Sequence, residues 1–204
     1  MDQTTGLRER KKAETRAALS QAALRLAIDH GAEAVTADAI ARSANVSLRT
    51  FHNYFATKDE AFLAPFRLLL EHAADALLAR PADEPILDAI EQVWRHVATG
   101  TPTLPEDTLS HVAELWTSPA MAAYQHRLIG EAVRTFARPI AQRTDTDPAS
   151  DLYPTLVAAA AVVTIFTAME HCPHGDDPTD KAAVVHEGFD ILRSGFRAPA
   201  RQVA

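Results

Sequence analysis

The chain has 204 residues, 47% of them hydrophobic and 23% charged, which suffices for a buried core and excludes a disordered or fibrous chain. No apolar run reaches the roughly 18 residues needed to span a bilayer, and the first residues mix acid and base instead of forming an apolar signal region. A single cysteine, Cys172, excludes an internal disulfide and fits a reducing cytoplasm.

The net charge of −7 argues against a polyanionic partner until it is divided along the chain. Residues 1–58 carry nine Lys and Arg against six Asp and Glu, whereas the other 146 residues carry eleven against twenty-one. A basic head on an acidic body points to one face that meets a polyanion and a remainder repelled by it.

No repeat, low-complexity stretch or strand-like alternation is present, and the chain reads as nine helices, an all-α protein. The first runs from about Leu7 to His30, with Leu19, Ala22, Ala23, Leu26 and Ala27 on its apolar face and Gly31 as its cap. Its opening turns, Arg8-Glu9-Arg10-Lys11-Lys12, are either a DNA-following arm or a frayed, solvated helix start. Thr36 is the N-cap of a short second helix over Ala37 to Ala44 that buries Ile40 and Ala41. The turn Asn45-Val46-Ser47 follows. Asn tolerates the positive φ needed there, Val46 plugs between helices, and Ser47 caps a third helix ending near Ala56.

Thr57 caps a fourth helix to about Leu78, whose early Asp59 and Glu60 suit the positive end of the helix dipole. Pro81 and Pro85 break the chain before a helix over Ile86 to Ala98. Further helices are expected over 106–116, 119–143, 149–171 and Thr179 to Phe196. The expected division is a DNA-binding unit over 1–57 and a helical ligand-binding and dimerisation unit over 58–204, with the seam inside the fourth helix.

Two short helices joined by a three-residue turn have the proportions of a helix-turn-helix. The stretch from Thr36 to Phe62, T-A-D-A-I-A-R-S-A-N-V-S-L-R-T-F-H-N-Y-F-A-T-K-D-E-A-F, resembles the DNA-binding motif of the TetR family of transcriptional regulators. The resemblance is close over these 27 residues and, with the first helix, covers about the first 60; beyond them it rests on length and helix count.

The resemblance implies that Thr36, Tyr54 and Lys58 contact the phosphate backbone, which positions the protein without reading sequence. Base reading then falls to Ser47, Leu48, Arg49, Thr50, His52 and Asn53 on the third helix. Arg49 suits guanine, Asn53 suits adenine, and Leu48 or Thr50 a thymine methyl. Phe51 and Phe55 match the buried face. His52 stands where the family often has Tyr, and Asp38 near a frequent basic position, so the usual contacts do not transfer there.

The resemblance also implies a homodimer built by the last two helices, with Leu156, Ala160, Val163, Val185, Phe189 and Leu192 at the interface. Leu152, Val157, Ala158, Ala161 and Thr164 extend the first stripe; Val184, Gly188 and Phe196 extend the second. Ordinary monomer core is the alternative for both. A cavity for a mostly apolar effector is implied in the same way. Its candidate lining is Phe62, Phe66, Trp94, His111, Trp116, Met121, Tyr124, Phe166 and Met169, with Phe136 nearby; each of these also reads as core.

The expected activity is ligand-responsive transcriptional regulation by a dimer on a palindromic double-stranded DNA operator, most simply repression, with no cofactor, membrane association or catalysis. No H-E-x-x-H, G-x-S-x-G, phosphate-binding loop or dinucleotide glycine pattern occurs. His171, Cys172 and His174, beside Asp176 and Asp177, are the nearest approach to a metal cluster. Three ligands within four residues do not readily close a tetrahedral site, so no metal is assigned. A metal-responsive sensor and a helical adaptor without DNA readout are the competing readings.

Overall fold

A computed structural model describes residues 3–98, 122–171 and 178–197. These residues form eight α-helices and no strand, the all-α class expected. The helix expected over 106–116 lies outside the described residues. Two compact units are present, one comprising Met1–Leu69 with Leu104–His126, the other Leu70–Thr103 with Arg127–Ala204.

In the first unit, α1 (Gln3–His30) ends where Gly31 takes φ +82°, a conformation glycine reaches without a Cβ clash. Thr36 caps α2 (Ala37–Ser43) by accepting a hydrogen bond from the Ala39 N–H at 3.1 Å. Asn45 sits at φ +55°, as its side chain permits, and redirects the chain into α3 (Leu48–Tyr54). Ser47 caps α3 by accepting from the Thr50 N–H at 3.0 Å. Helix α2 packs on both α1 and α3. Leu19, Ala23, Ile40, Phe51 and Phe55 are buried in this unit, and the Phe51 and Phe55 rings lie 5.9 Å apart.

Helix α4 (Lys58–Leu78) begins with paired side-chain caps. Thr57 Oγ1 accepts from the Glu60 N–H, and the Glu60 carboxylate accepts from the Ala56 N–H at 2.8 Å. The helix continues through Pro65, which is buried, and the boundary between the units falls within it.

The second unit contains the end of α4 and α5 (Ile86–Ala98), most of α6 (Ala122–Thr144), α7 (Leu152–His171) and α8 (Pro178–Arg193). Helix α8 packs on α7 and α5 around Leu77, Ile90, Phe136, Ile140 and Phe189, all essentially inaccessible to solvent. The chain leaves α8 earlier than its apolar pattern predicts. Gly195 and Phe196 both take positive φ, and Phe196, expected in the helix, is 72% exposed.

Two charged arrangements tie this unit together. Arg143 of α6 donates to Arg80 O at 2.8 Å and Pro81 O at 2.6 Å, placing a cation at the carbonyl end of α4. Arg80 in turn grips Glu84 through Nε at 2.7 Å; that hydrogen bond raises the basicity of Arg80 and holds the Glu84 carboxyl below its ordinary range. The buried carboxylate of Glu91 on α5 bonds Arg193 and, at 2.7 Å, His186 Nδ1, both from α8. Burial works against the charge of Arg193, but hydrogen bonds to Glu91 and Asp88 outweigh it and leave the guanidinium more basic than usual.

Candidate nucleic-acid interface

Helix α3 divides into an anchored side and an outward side. Phe51 and Phe55 fasten it to the core, while Leu48, Arg49, His52 and Asn53 are exposed and Thr50 and Tyr54 half-buried. Leu48, a large apolar residue, is left 41% exposed. The Ser47 and Thr50 hydroxyls lie 2.8 Å apart, so both are partly engaged in capping α3. Thr36 is exposed at the start of α2; its cap bond uses the hydroxyl oxygen as acceptor and leaves the hydrogen to donate.

Lys58 differs from its expected part. Its ammonium donates to Ala32 O at 3.0 Å, Glu33 O at 3.0 Å and Val35 O at 2.9 Å. An ammonium has three donors, and here the loop between α1 and α2 takes all of them. Lys58 therefore staples that loop to the start of α4 and is not presented to a phosphate. The reason lies in residues more than twenty positions away, which no local motif displays.

Arg16 was not singled out by the sequence. It donates from Nη1 to Tyr54 O at 3.1 Å, and its guanidinium carbon lies 4.4 Å from the centre of the Phe55 ring. Tyr54, expected to contact the phosphate backbone, anchors α1 through its carbonyl.

The described candidate effector residues are divided between the two units. Phe62, Phe66 and Tyr124 belong to the first unit, where Phe62 meets Phe66 at 6.3 Å and Tyr124 at 5.0 Å between ring centres. The space bounded by Phe62, Tyr124, Ala27 and Ile40 is only about 10 Å³, so these side chains fill it themselves. Trp94 and Phe166 belong to the second unit, where Trp94 lies 5.8 Å from Phe136 and its buried Nε1 has no hydrogen-bond partner among the described residues. His111, Trp116, Met121 and the Met169 side chain lie outside the described residues, as do Cys172 and His174. His171 ends α7 with Nδ1 against Thr167 O at 2.9 Å.

The candidate dimer residues separate by burial. Leu156 and Val163 on α7 are 57% and 49% exposed, while Ala160 and Leu192 are half-buried. Val185 and Phe189, expected at the interface, are instead 2% and 0% exposed because they pack into the core of their own unit against α5 and α7. Leu152, Tyr153 and Ile191 are further exposed apolar residues on the same two helices; the first was expected in the stripe, the other two were not.

Two capped short helices turning about a positive-φ Asn, with the second presenting a polar outer face, define a helix-turn-helix DNA-reading module. Comparison with known proteins agrees. The model for bacterial regulatory proteins of the TetR family matches residues 19–64, and the model for the MftR C-terminal domain, a TetR-type C-terminal domain, matches residues 84–197. The chain belongs to the TetR family of transcriptional regulators.

The HTH-type transcriptional regulator TcmR of Streptomyces glaucescens is 40% identical over 92 residues, a match spanning 45% of this chain and 41% of TcmR. Among solved structures, FadR of Bacillus halodurans superposes with a TM-score of 0.61 at 15% identity, over 91% of this chain and 97% of that one. FadR of Thermus thermophilus, solved in complex with lauroyl-CoA, gives 0.54 at 20% identity over 93% and 98%. At these identities the two structures show a shared fold and no more.

Proposed function

We infer that this regulator is a cytoplasmic homodimer that represses transcription by binding a palindromic operator and is released by a small, mostly apolar effector. The observation that carries the DNA half is the outward face of α3, with Arg49, His52 and Leu48 standing clear of a module whose Phe51 and Phe55 hold it rigid. Arg49 is the strongest base-reading candidate, since a guanidinium fits the guanine edge in bidentate fashion.

One such helix reads too few base pairs for useful specificity, and a two-fold dimer supplies the second half-site about 34 to 36 Å away. Exposed Leu152, Leu156 and Val163 on α7, with Ile191 on α8, support that dimer, because soluble monomers rarely leave apolar side chains of this size uncovered on adjoining helices. The effector half rests on family membership. That FadR of Thermus thermophilus, a protein of this fold, was solved in complex with lauroyl-CoA supports an effector with an apolar chain. Effector binding lowers DNA affinity only by its preference for the released state over the bound one. No catalytic step belongs to this reading.

Selection of duplexes from a random DNA pool with the full chain tests it. Enriched sequences with two inverted half-sites, bound by a particle of dimeric mass, are expected; so is conversion to a monomer with loss of enrichment in Leu156→Arg. Absence of any enriched sequence, or enrichment of a single unrepeated site by a monomer, would overturn it.

A further inference from the structure

Three buried side-chain polar atoms have no hydrogen-bond partner among the described residues: His72 Nδ1, Trp94 Nε1 and Arg143 Nε. The last belongs to a guanidinium whose two terminal nitrogens donate to the carbonyls of Leu77, Arg80, Pro81 and Glu84, so Arg143 is accounted for as a clamp. Neither His72 Nδ1 nor Trp94 Nε1 has such an explanation. A buried indole N–H normally finds an acceptor, and one left bare forfeits the hydrogen bond that water gave it in the unfolded chain.

The two groups stand in the same part of the second unit. His72 is six positions before Leu78, the end of α4, and Trp94 is eight positions after Ile86, the start of α5. They therefore lie about 9 and 12 Å along their helices from the loop that joins them. Trp94 and Ala73, the neighbour of His72, belong to one buried cluster with Leu70, Val93 and Phe136, and no residue of that cluster offers a side-chain acceptor. Glu91, the one buried carboxylate among the described residues, is taken up by His186 and Arg193.

We propose that Trp94 Nε1 and His72 Nδ1 are the polar anchors of the effector site, and that the effector is an uncharged, largely apolar molecule whose carbonyl oxygen accepts from them. The proposal deepens the effector reading and rests on it. Elimination selects the chemical class. An indole N–H only donates, so the ligand atom that meets it must accept, which excludes an ammonium. A carboxylate accepts, but it would enter an apolar core as an ion, and the buried residues described there include no cation to pair with it. A water also accepts, yet its own two hydrogens would face hydrocarbon. A carbonyl oxygen has two lone pairs and no hydrogen. It can take one N–H from Trp94 and one from His72, whose Nδ1 carries the hydrogen in one of the two neutral tautomers. The apolar remainder of the ligand suits the side chains of Leu70, Val93 and Phe136.

The experiment uses the full chain with isotope-labelled nitrogen, without DNA, and three probes with eight-carbon chains at millimolar concentration: octan-2-one, octanoate and octylamine. The chain has two tryptophans, so its nitrogen–proton spectrum holds two indole signals. That of Trp94 is the one lost in Trp94→Phe and kept in Trp116→Phe, and either variant suffices to assign it. Octan-2-one should move the Trp94 signal downfield and saturably, as an N–H moves when it gains an acceptor. Octanoate should bind about tenfold more weakly, and octylamine should leave the signal in place. Trp94→Phe keeps an aromatic ring and should weaken octan-2-one by about tenfold in calorimetry, the loss of one buried hydrogen bond; His72→Phe should do the same while the Trp94 signal still responds. A Trp94 signal unmoved by octan-2-one, the mark of a resident water or of an N–H with no ligand to meet, would overturn the proposal. So would an equal shift with octylamine, or tighter binding of octanoate. DNA release is read separately on the pool-selected duplex. Octan-2-one bound at Trp94 with the duplex retained would count against the effector reading alone and leave the carbonyl site standing.

Discussion

The Tyr124 hydroxyl donates to Asp59 Oδ1 at 2.8 Å, joining the first turn of α6 to the first turn of α4 within the first unit. The Tyr124 ring also lies 5.0 Å from that of Phe62, so one side chain makes a polar and an aromatic contact with the same helix. Tyr124→Phe keeps the ring and should cost about 1 kcal/mol in denaturant unfolding, the usual net value of one such bond. Combined with Asp59→Asn, it should cost less than the sum of the two single effects. Full additivity in that cycle would show that the bond contributes nothing.

Lys58 offers a sharper test, because two roles predict different readouts. As a staple on the carbonyls of Ala32, Glu33 and Val35, its replacement in Lys58→Met should destabilise the protein by about 2 kcal/mol, the range for hydrogen bonds to a charged donor. A phosphate contact would leave unfolding untouched and reduce the salt dependence of DNA binding. Calorimetry of the variant alone, without DNA, separates these outcomes.

Gly188 lets α7 and α8 approach closely. A Cβ at this position would lie 2.7 Å from Thr164 Cγ2, too near for two carbons, and a short β-branched side chain has little room to yield. Gly188→Ala gains helix propensity of about 1 kcal/mol yet should lower stability by about 1 to 2 kcal/mol net, because overpacking outweighs it. Thr164→Ser removes the offending methyl, and the double variant should recover most of the stability. No recovery in thermal unfolding would mean that the clash is not the cause.

The Glu84 carboxyl, depressed below its ordinary 4.5 by its bond to Arg80, gives a pH signature. A lowered folded-state pKa contributes stability that is fully present above the unfolded value and is lost as pH falls through the folded one. Wild type should therefore exceed Glu84→Gln in stability by a constant margin near neutral pH, and the margin should shrink below about pH 4.5. A margin independent of pH across that window would rule out the ion pair as its source.

What could be read from residues alone was governed by how local the physics is. Thr36, Ser47 and Gly31 announce helix ends because capping hydroxyls and positive φ depend on a few neighbouring atoms, and Asn45 could be placed for the same reason. Lys58 and Arg16 act on atoms 23 to 38 positions away, so their roles required the fold. Periodicity found the apolar residues of α8 but not the direction each faces. Val184, Val185, Phe189 and Leu192 were in the expected stripe, and only packing shows that Val185 and Phe189 turn inward while Ile191, outside that stripe, is exposed. The helix over Pro139 runs against the local rule for proline, and the buried neighbours Phe136 and Ile140 indicate that packing overrides it.

Whether the outward face of α3 reads DNA sequence is decided by fluorescence anisotropy of the purified chain on DNA from upstream of its own gene, against a scrambled control. The pool-selected duplex replaces that DNA if the region is not the operator. Binding at least about a thousandfold tighter than to the control is expected, falling toward it in Arg49→Ala while the salt slope holds. Equal affinity for selected and scrambled DNA, or a ratio untouched by Arg49→Ala and His52→Ala together, would contradict sequence reading by α3.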